Sequence, residues 1–282
     1  MNPICAALVV CLASTSFGQQ HDSKRMRVKD AVKAARLATT DEAKERAYKQ
    51  VELGAIEDDQ DVRALSEEMF VIQKVFKGDK SRERRIRTAK HLASVLAECK
   101  QPKHHGVIKD LLADENKTLG RNYMGPWGSK SEDELERDTI KYERLKALAG
   151  AAAGGKNDEA LPTLRAMRMK GGQAGKMAET AIGQIGRDED LDAFINEIKT
   201  DPKSSINVSA FGRKAQVRIL KDVKSGQLLP DVKFRLVSRL PRVVNREDVP
   251  QIRELLKDEN PRVVSIAAET IANGHVNFSG VN

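Results

Sequence analysis

Two short helices joined by a tight turn are predicted by NREDVPQIRELLKDENPRVVSIAAETIANG, residues 245–274. Asp248 can cap the first helix. The apolar residues of this helix recur at helical spacing, at Val249, Ile252, Leu255 and Leu256. Asn260 and Pro261 then predict a second helix start, because proline at the first helical position loses only an amide that has no partner there. Helices this short cannot bury their apolar faces alone, which predicts that several such pairs stack side by side.

Fragments of the same pattern recur upstream. Residues 162–165 match 250–253, 178–180 match 268–270, and 230–232 match 261–263, at offsets of 88, 90 and 31 residues. Repeats of about 30 residues account for all three offsets, so we expect four two-helix units over residues 159–274. Their first helices should begin near Leu161, Leu191, Gln216 and Val249, and their second helices near Ala174, Ser205, Asp231 and Arg262.

Residues 249–274 resemble a HEAT repeat of the short bacterial type. The turn pattern of that family (an acidic residue, any residue, Asn or Asp, Pro, any residue, Val) is matched by Asp258, Asn260, Pro261 and Val263, and Ala267-Ala268 fits its close helix packing. The resemblance also covers residues 161–186 and weakens between these two segments. It implies an all-α, right-handed α-solenoid of HEAT-like helical hairpins. It further implies a protein-interaction scaffold without catalysis, in which another protein is the partner.

The N-terminal half shows helical spacing with less regular repeats. We expect a helical region over residues 19–128, with degenerate repeats, followed at 129–158 by a helix and a Gly/Ala-rich joint. The sequence GAAAGGK at 150–156 is close to a phosphate-binding loop, but Asn157 stands where that motif needs a hydroxyl. A joint between the two halves is the better interpretation. Residues 275–282 are expected to form a flexible tail.

The first 18 residues predict a signal peptide. Residues 2–18 carry no charged side chain, and residues 4–13 form an apolar run that is too short to span a bilayer. Cleavage after Gly18 would export the protein to the periplasm or beyond. It would also remove Cys5 and Cys11, leaving Cys99 without a partner for an internal disulfide. No later segment is apolar enough to cross a membrane.

The chain carries a formal net charge of +8, and its basic excess is concentrated between residues 74 and 103. Four cations recur there at helical spacing: Lys80, Arg84, Arg87 and Lys90. Such a face attracts polyanions, so binding of an anionic envelope polymer or surface is the alternative function. A solvated face that keeps the protein soluble is the competing interpretation. Nucleic acid is not expected as a partner of an exported protein.

A loop with aromatic residues is predicted at residues 119–130, where Gly and Pro interrupt the helical pattern. Tyr123 and Trp127 in this loop are candidates for contact with a partner. They could equally fill a gap between sub-domains.

We expect no enzyme activity, no cofactor and no metal site. Aromatic content is only 4%, and helix-forming residues dominate the composition. His104 and His105 are adjacent, so on a helix they would point in different directions. The Ser, His, Asp and Cys residues form no recognisable catalytic arrangement. The sequence therefore predicts an exported, non-catalytic scaffold.

Overall fold

The computed structural model describes residues 27–52, 56–240, 243–273 and 275–277. The predicted signal peptide at 1–18 lies outside these residues. Helices account for most of the described chain, which confirms the all-α prediction. The α-helices are α1 Val28–Leu37, α2 Asp41–Lys49, α3 Asp59–Val75, α4 Arg82–Ala97, α5 His105–Thr118, α6 Glu132–Gly154, α7 Leu161–Arg168, α8 Gly172–Ile185, α9 Asp188–Thr200, α10 Arg213–Lys224, α11 Pro230–Val237, α12 Val249–Glu254 and α13 Pro261–Asn273. None of these helices, over the ranges described, is long and apolar enough to cross a membrane.

Capping side chains mark the starts of several helices. Asp58 accepts hydrogen bonds from the amides of Gln60 and Asp61 at 2.8 and 2.9 Å, and it therefore begins α3. The Asp61 carboxylate in turn accepts a hydrogen bond from the backbone amide of Asp58, which completes a capping box. Ser131 caps α6 in a similar way, through the amide of Glu134. These caps set helix ends that apolar spacing alone places only to within a few residues.

From α1 to α8, which covers the N-terminal half and the first expected two-helix unit, the helices contact one another in two series. Each odd-numbered helix packs against the next odd-numbered one, from α1 to α7, and we call these helices the first row. The even-numbered helices from α2 to α8 pack in the same manner and form the second row. Consecutive helices also pair with each other across the two rows. The N-terminal half, expected to be the less regular one, therefore has a regular alternation of contacts.

Large apolar side chains from both rows fill the space between them. Those with almost no exposed surface include Tyr48, Leu65, Met69, Leu92, Leu96, Leu112, Leu145 and Leu148. Burying a side chain of this size contributes roughly 1.5–3 kcal/mol. The helices of the two rows thus share one core that no single pair could form alone.

The unit beginning at α9 differs from the prediction. A second helix was expected near Ser205, but the chain there is irregular and forms only a 3-10 turn at Ser209–Phe211. Helix α9 ends at Thr200, because Asp201 precedes Pro202 and adopts the extended conformation that a following proline favours. The side chains of Ile206, Val208 and Phe211 are nevertheless buried. They supply the apolar surface that a second helix would have provided.

The predicted Gly/Ala-rich joint is the end of a helix. Helix α6 extends to Gly154, and its alanines are buried at positions 147, 149, 151, 152 and 153. A Cβ atom built on Gly155 would lie 2.5 Å from the backbone oxygen of Lys100. This segment is therefore packed closely against the α4–α5 connection, and the interpretation as a joint is wrong.

A short parallel strand pair lies near the C-terminus and was not anticipated. The strands are β1 Val243–Asn245 and β2 His275–Asn277. Residues 275–277 belong to the segment expected to be a flexible tail, of which the remaining residues lie outside the described ranges. Each strand has only three residues, so the helical character of the fold is unchanged.

Candidate functional site

The predicted loop between α5 and α6 is held by backbone hydrogen bonds to the turn between α7 and α8. The amide of Asn122 donates to the carbonyl of Lys170 at 2.8 Å, and the amide of Gln173 donates to the carbonyl of Tyr123 at 2.7 Å. The ammonium of Lys170 donates to the carbonyl of Leu119 at 2.9 Å. In these bonds the loop both donates to and accepts from the α7–α8 turn. The backbone of the loop is therefore fixed, and its exposed side chains have a defined position.

Gly172 makes this close approach possible. Its φ is +63°, and a Cβ atom there would lie 2.5 Å from the carbonyl oxygen of Tyr123. Only glycine adopts this backbone conformation freely and leaves room for the loop. The glycines at 171 and 172 thus have a structural role. The sequence of this stretch (KGGQAGK, 170–176) does not match a phosphate-binding motif.

Trp127 is the most prominent side chain of the loop. It is 65% exposed, and its neighbour Met124 is 49% exposed. The indole meets the ring of Tyr142 edge to face, with centroids 5.1 Å apart. A Cβ atom on Gly125 would be 3.0 Å from the Tyr142 ring, so the loop lies directly on α6. We call Met124, Gly125, Trp127, Gly128 and Tyr142 the Trp127 platform.

Tyr123 has a different position from Trp127. Its ring is half-buried, its hydroxyl donates to the carbonyl of Asp138 at 3.1 Å, and the Lys141 ammonium lies 5.5 Å from its ring centroid. Burial raises the pKa of the Tyr123 hydroxyl above its usual value, and the Asp138 carboxylate adds to this rise. Tyr123 therefore anchors the loop, and Trp127 is the aromatic residue that presents a surface.

Two cations of the predicted basic face, Arg84 and Arg87, are paired with neighbouring carboxylates. Arg84 lies 2.6 Å from Glu42 and 3.5 Å from Glu45, both of α2. Arg87 lies 3.4 Å from Glu45 and 3.8 Å from Glu83. Acidic residues of α2 thus form ion pairs with two of the four predicted cations.

Lys80 and Lys90 are exposed. The structure does not bring the four cations together as one free basic surface, because α4 packs on α2 along this side. Arg87 is exposed as well, whereas Arg84 is partly buried against α2.

Two buried ion pairs of α6 were not predicted from the sequence. Arg85 contacts Glu136 of this helix, and Arg144 of α6 contacts Glu115 of α5 at 2.5 Å. Burial raises the pKa of Glu115 and lowers the pKa of Arg144. The sequence holds one indication that Arg85 is buried: it lies on the same face of α4 as the apolar residues Ala89, Leu92 and Leu96.

The described residues contain no group of three or more His, Cys, Asp or Glu side chains arranged to hold a metal ion. His104 is buried beside Asp59, with Nδ1 3.0 Å from the carboxylate, and the pair links the turn before α5 to the start of α3. Comparison of the chain with protein-family models, curated proteins and solved structures finds no match.

Proposed function

We propose that the protein is an exported, non-catalytic scaffold, a right-handed HEAT-like α-solenoid that binds another protein. The observation that carries this proposal is the stepwise contact between helices of the first row. A solenoid requires each unit to contact only its neighbours, and the helix contacts from α1 to α8 have this form. A repeat scaffold of this kind offers a long surface for a partner and needs no catalytic group.

Charged and polar pairs extend the first row beyond α7. At least one such pair occurs at each step. They include Arg36–Glu68 (α1–α3), Arg63–Asp110 (α3–α5), Lys109–Glu159 (α5 to the residues just before α7), Arg165–Asp190 (α7–α9), Asp192–Arg218 (α9–α10) and Gln216–Asp248 (α10 to the residue just before α12). An exposed pair adds less than about 1 kcal/mol. Their recurrence at every step supports one continuous array, in which α10 follows α9 directly because the unit that begins at α9 lacks its second helix.

The Trp127 platform is the proposed contact surface. Residues that dominate protein–protein affinity are enriched in Trp and Tyr, and they lie in positions fixed before the partner arrives. Trp127 is of the favoured residue type, and its position is fixed because its loop is held by the α7–α8 turn. It is also exposed, so a partner can reach it. An exposed indole beside an exposed methionine also leaves apolar surface in water that a partner would cover.

The experiment uses the chain beginning at Gln19 to capture partners from an envelope fraction. The affinity of the captured partner is then measured for wild type, Trp127→Ala and Leu229→Ala. Leu229 is the matched control, since it is an apolar residue with 72% exposure outside the platform. We expect Trp127→Ala to weaken binding at least about tenfold, which corresponds to about 1.4 kcal/mol, and Leu229→Ala to leave it unchanged. Equal affinities for the two variants would contradict the platform assignment.

Export has its own test. Mass spectrometry of the protein from the envelope should find a chain that begins near Gln19. A cytosolic protein with intact Met1 would contradict both export and the envelope as the place to search for partners.

A further inference from the structure

A groove with basic and apolar walls lies between the first three helices. One part has a volume of about 480 Å³ and is lined by Arg36, Ala38, Lys44, Val71, Lys74, Val75 and Lys77. A second part of about 430 Å³ shares Arg36 and Val71 with the first. We call the two parts together the α1–α3 groove. It shares no residue with the Trp127 platform.

Arg36 is held in place at the centre of this groove. Its guanidinium donates to Glu68 at 2.5 Å, and the hydroxyl of Tyr48 donates to the other oxygen of the same carboxylate at 2.5 Å. Glu68 is only 2% exposed. Hydrogen bonding to Glu68 raises the pKa of Arg36 above its usual value. The arginine is therefore fixed from below while more than half of its side chain remains open to solvent.

The groove has an excess of positive charge. Six cations line its two parts, Lys29, Lys33, Arg36, Lys44, Lys74 and Lys77, against the carboxylates Glu67 and Glu68. Lys74 and Lys77 are exposed near the end of α3. Lys44 is held by Asp41 at 3.1 Å. A mixture of fixed and extended cations around one opening attracts a ligand with several negative charges.

The lining of the groove is also partly apolar. Val32, Ala64, Val71 and Val75 contribute to it, and Leu37 at its edge is 72% exposed. An anionic polymer would meet the cations but leave these aliphatic side chains in water. A ligand with apolar side chains between its carboxylates would cover both kinds of surface and gain about 25 cal/mol for each Å² of apolar area buried.

We propose that the α1–α3 groove binds an acidic, partly apolar peptide segment of a partner protein. The carboxylates of the segment would contact Arg36, Lys74 and Lys77, and its apolar side chains would lie against Val71 and Leu37. This site shares no residue with the predicted basic face of α4.

The experiment measures fluorescence anisotropy with a labelled peptide of alternating Glu and Leu, at about 0.15 M salt, where exposed charges are largely screened beyond about 8 Å. A peptide of Glu and Ser with the same charge, and polyphosphate, are the comparison ligands. The variants are Lys74→Glu/Lys77→Glu and Leu37→Ser. The matched control is Lys146→Glu/Lys176→Glu, which changes the same charge at exposed lysines of α6 and α8. Circular dichroism checks that each variant is folded.

We expect Lys74→Glu/Lys77→Glu to weaken binding of the Glu/Leu peptide at least tenfold and Leu37→Ser to weaken it several-fold, with the control within twofold of wild type. The Glu/Ser peptide should bind more weakly and be insensitive to Leu37→Ser. An equal loss of Glu/Leu peptide binding in the control variant would show that the peptide is attracted to the basic protein in general, and it would overturn the proposed site. Polyphosphate binding that is tighter and independent of Leu37 would overturn the peptide in favour of an anionic polymer. Absence of Glu/Leu peptide binding by the wild type would overturn the proposal altogether.

Discussion

Arg85 and Glu136 form a buried bidentate ion pair between α4 and α6, with Nε 2.6 Å from Oε1 and Nη2 2.7 Å from Oε2. The remaining guanidinium nitrogen donates to the carbonyls of Phe76 and Gly78 at 3.1 and 2.8 Å. The side-chain amide of Gln73 donates to the same Glu136 carboxylate at 3.1 Å. Through these contacts, one arginine connects the end of α3 to two helices of the second row. Because the groups are buried, each depends on the others for its hydrogen bonds.

Arg85→Met should lower the free energy of unfolding by about 3–5 kcal/mol, because Glu136 would remain buried without its charged partner. Urea denaturation followed by circular dichroism measures the change. The control is Arg63→Met, which removes an ion pair with Asp110 of the same kind but with both side chains nearly half exposed. We expect that loss to stay below about 1 kcal/mol. Similar losses for the two variants would show that burial does not govern the strength of the Arg85 pair.

Gly172→Ala should destabilise the protein by about 1–3 kcal/mol. The added methyl group would meet the carbonyl of Tyr123, and the positive φ disfavours alanine independently of space. Trp127 is the chain's single tryptophan, so its fluorescence reports on this loop. A shift in the native emission spectrum should accompany the loss of stability.

The matched control for that variant is Gly106→Ala. Gly106 lies in α5 and an added Cβ would have no neighbour within 4 Å. Alanine forms helix better than glycine, so the free energy of unfolding should rise by up to about 1 kcal/mol. If both alanines had the same effect, the close approach at Gly172 would not be the cause.

Helical spacing was sufficient to predict most helices, because each one buries a regular apolar stripe. Helix α7 begins at Leu161 as expected, and α8 begins at Gly172, two residues before the expected Ala174. The segment after α9 could not be predicted in this way. Its buried residues Ile206, Val208 and Phe211 are compatible with a helix face in part, and the irregular path depends on which neighbours they meet. Tertiary packing, rather than local preference, decides such a segment.

The Trp127 loop was recognisable from its Gly and Pro residues, but the roles of its two aromatic residues were not. Tyr123 and Trp127 are four residues apart in one loop, and only the fold places one against the Asp138 carbonyl and the other in solvent. The basic face of α4 shows the same limit. The spacing of Arg84 and Arg87 was correct, but their pairing with Glu45 comes from a different helix.

Stability should fall at alkaline pH in part through Cys99. Burial raises the pKa of this thiol to about 12, and the Glu98 carboxylate adds to the rise. The pKa of a cysteine thiol in an unfolded chain is about 8.5. Between these two values the unfolded chain releases a proton that the folded chain keeps, so the free energy of unfolding decreases as the pH rises. The contribution is fully present below about pH 8.5 and is lost as the pH approaches about 12.

The measurement compares wild type and Cys99→Ala, both beginning at Gln19, by urea denaturation at about pH 8 and about pH 10. Any effect of tyrosine ionisation is common to the two proteins and cancels in the difference. Wild type should lose more stability between the two pH values than the variant does. A difference that stays constant with pH would mean that the thiol ionises as readily in the folded protein as in the unfolded one.

Tyr123→Ala should cost more stability than Trp127→Ala, although tryptophan is the larger residue. Removing Tyr123 deletes a half-buried ring and the hydrogen bond to the Asp138 carbonyl, a loss of about 2–3 kcal/mol. Removing Trp127 mainly deletes the edge-to-face contact with Tyr142, since the indole is largely in water, and should cost about 1 kcal/mol or less. Thermal or urea denaturation followed by circular dichroism gives both values without relying on the indole. The order matters for the proposed function, because a contact residue must be removable without unfolding the loop that presents it. If Trp127→Ala proved the more destabilising change, Trp127 would be part of the protein's own packing, and a loss of partner binding in that variant would no longer identify a contact surface.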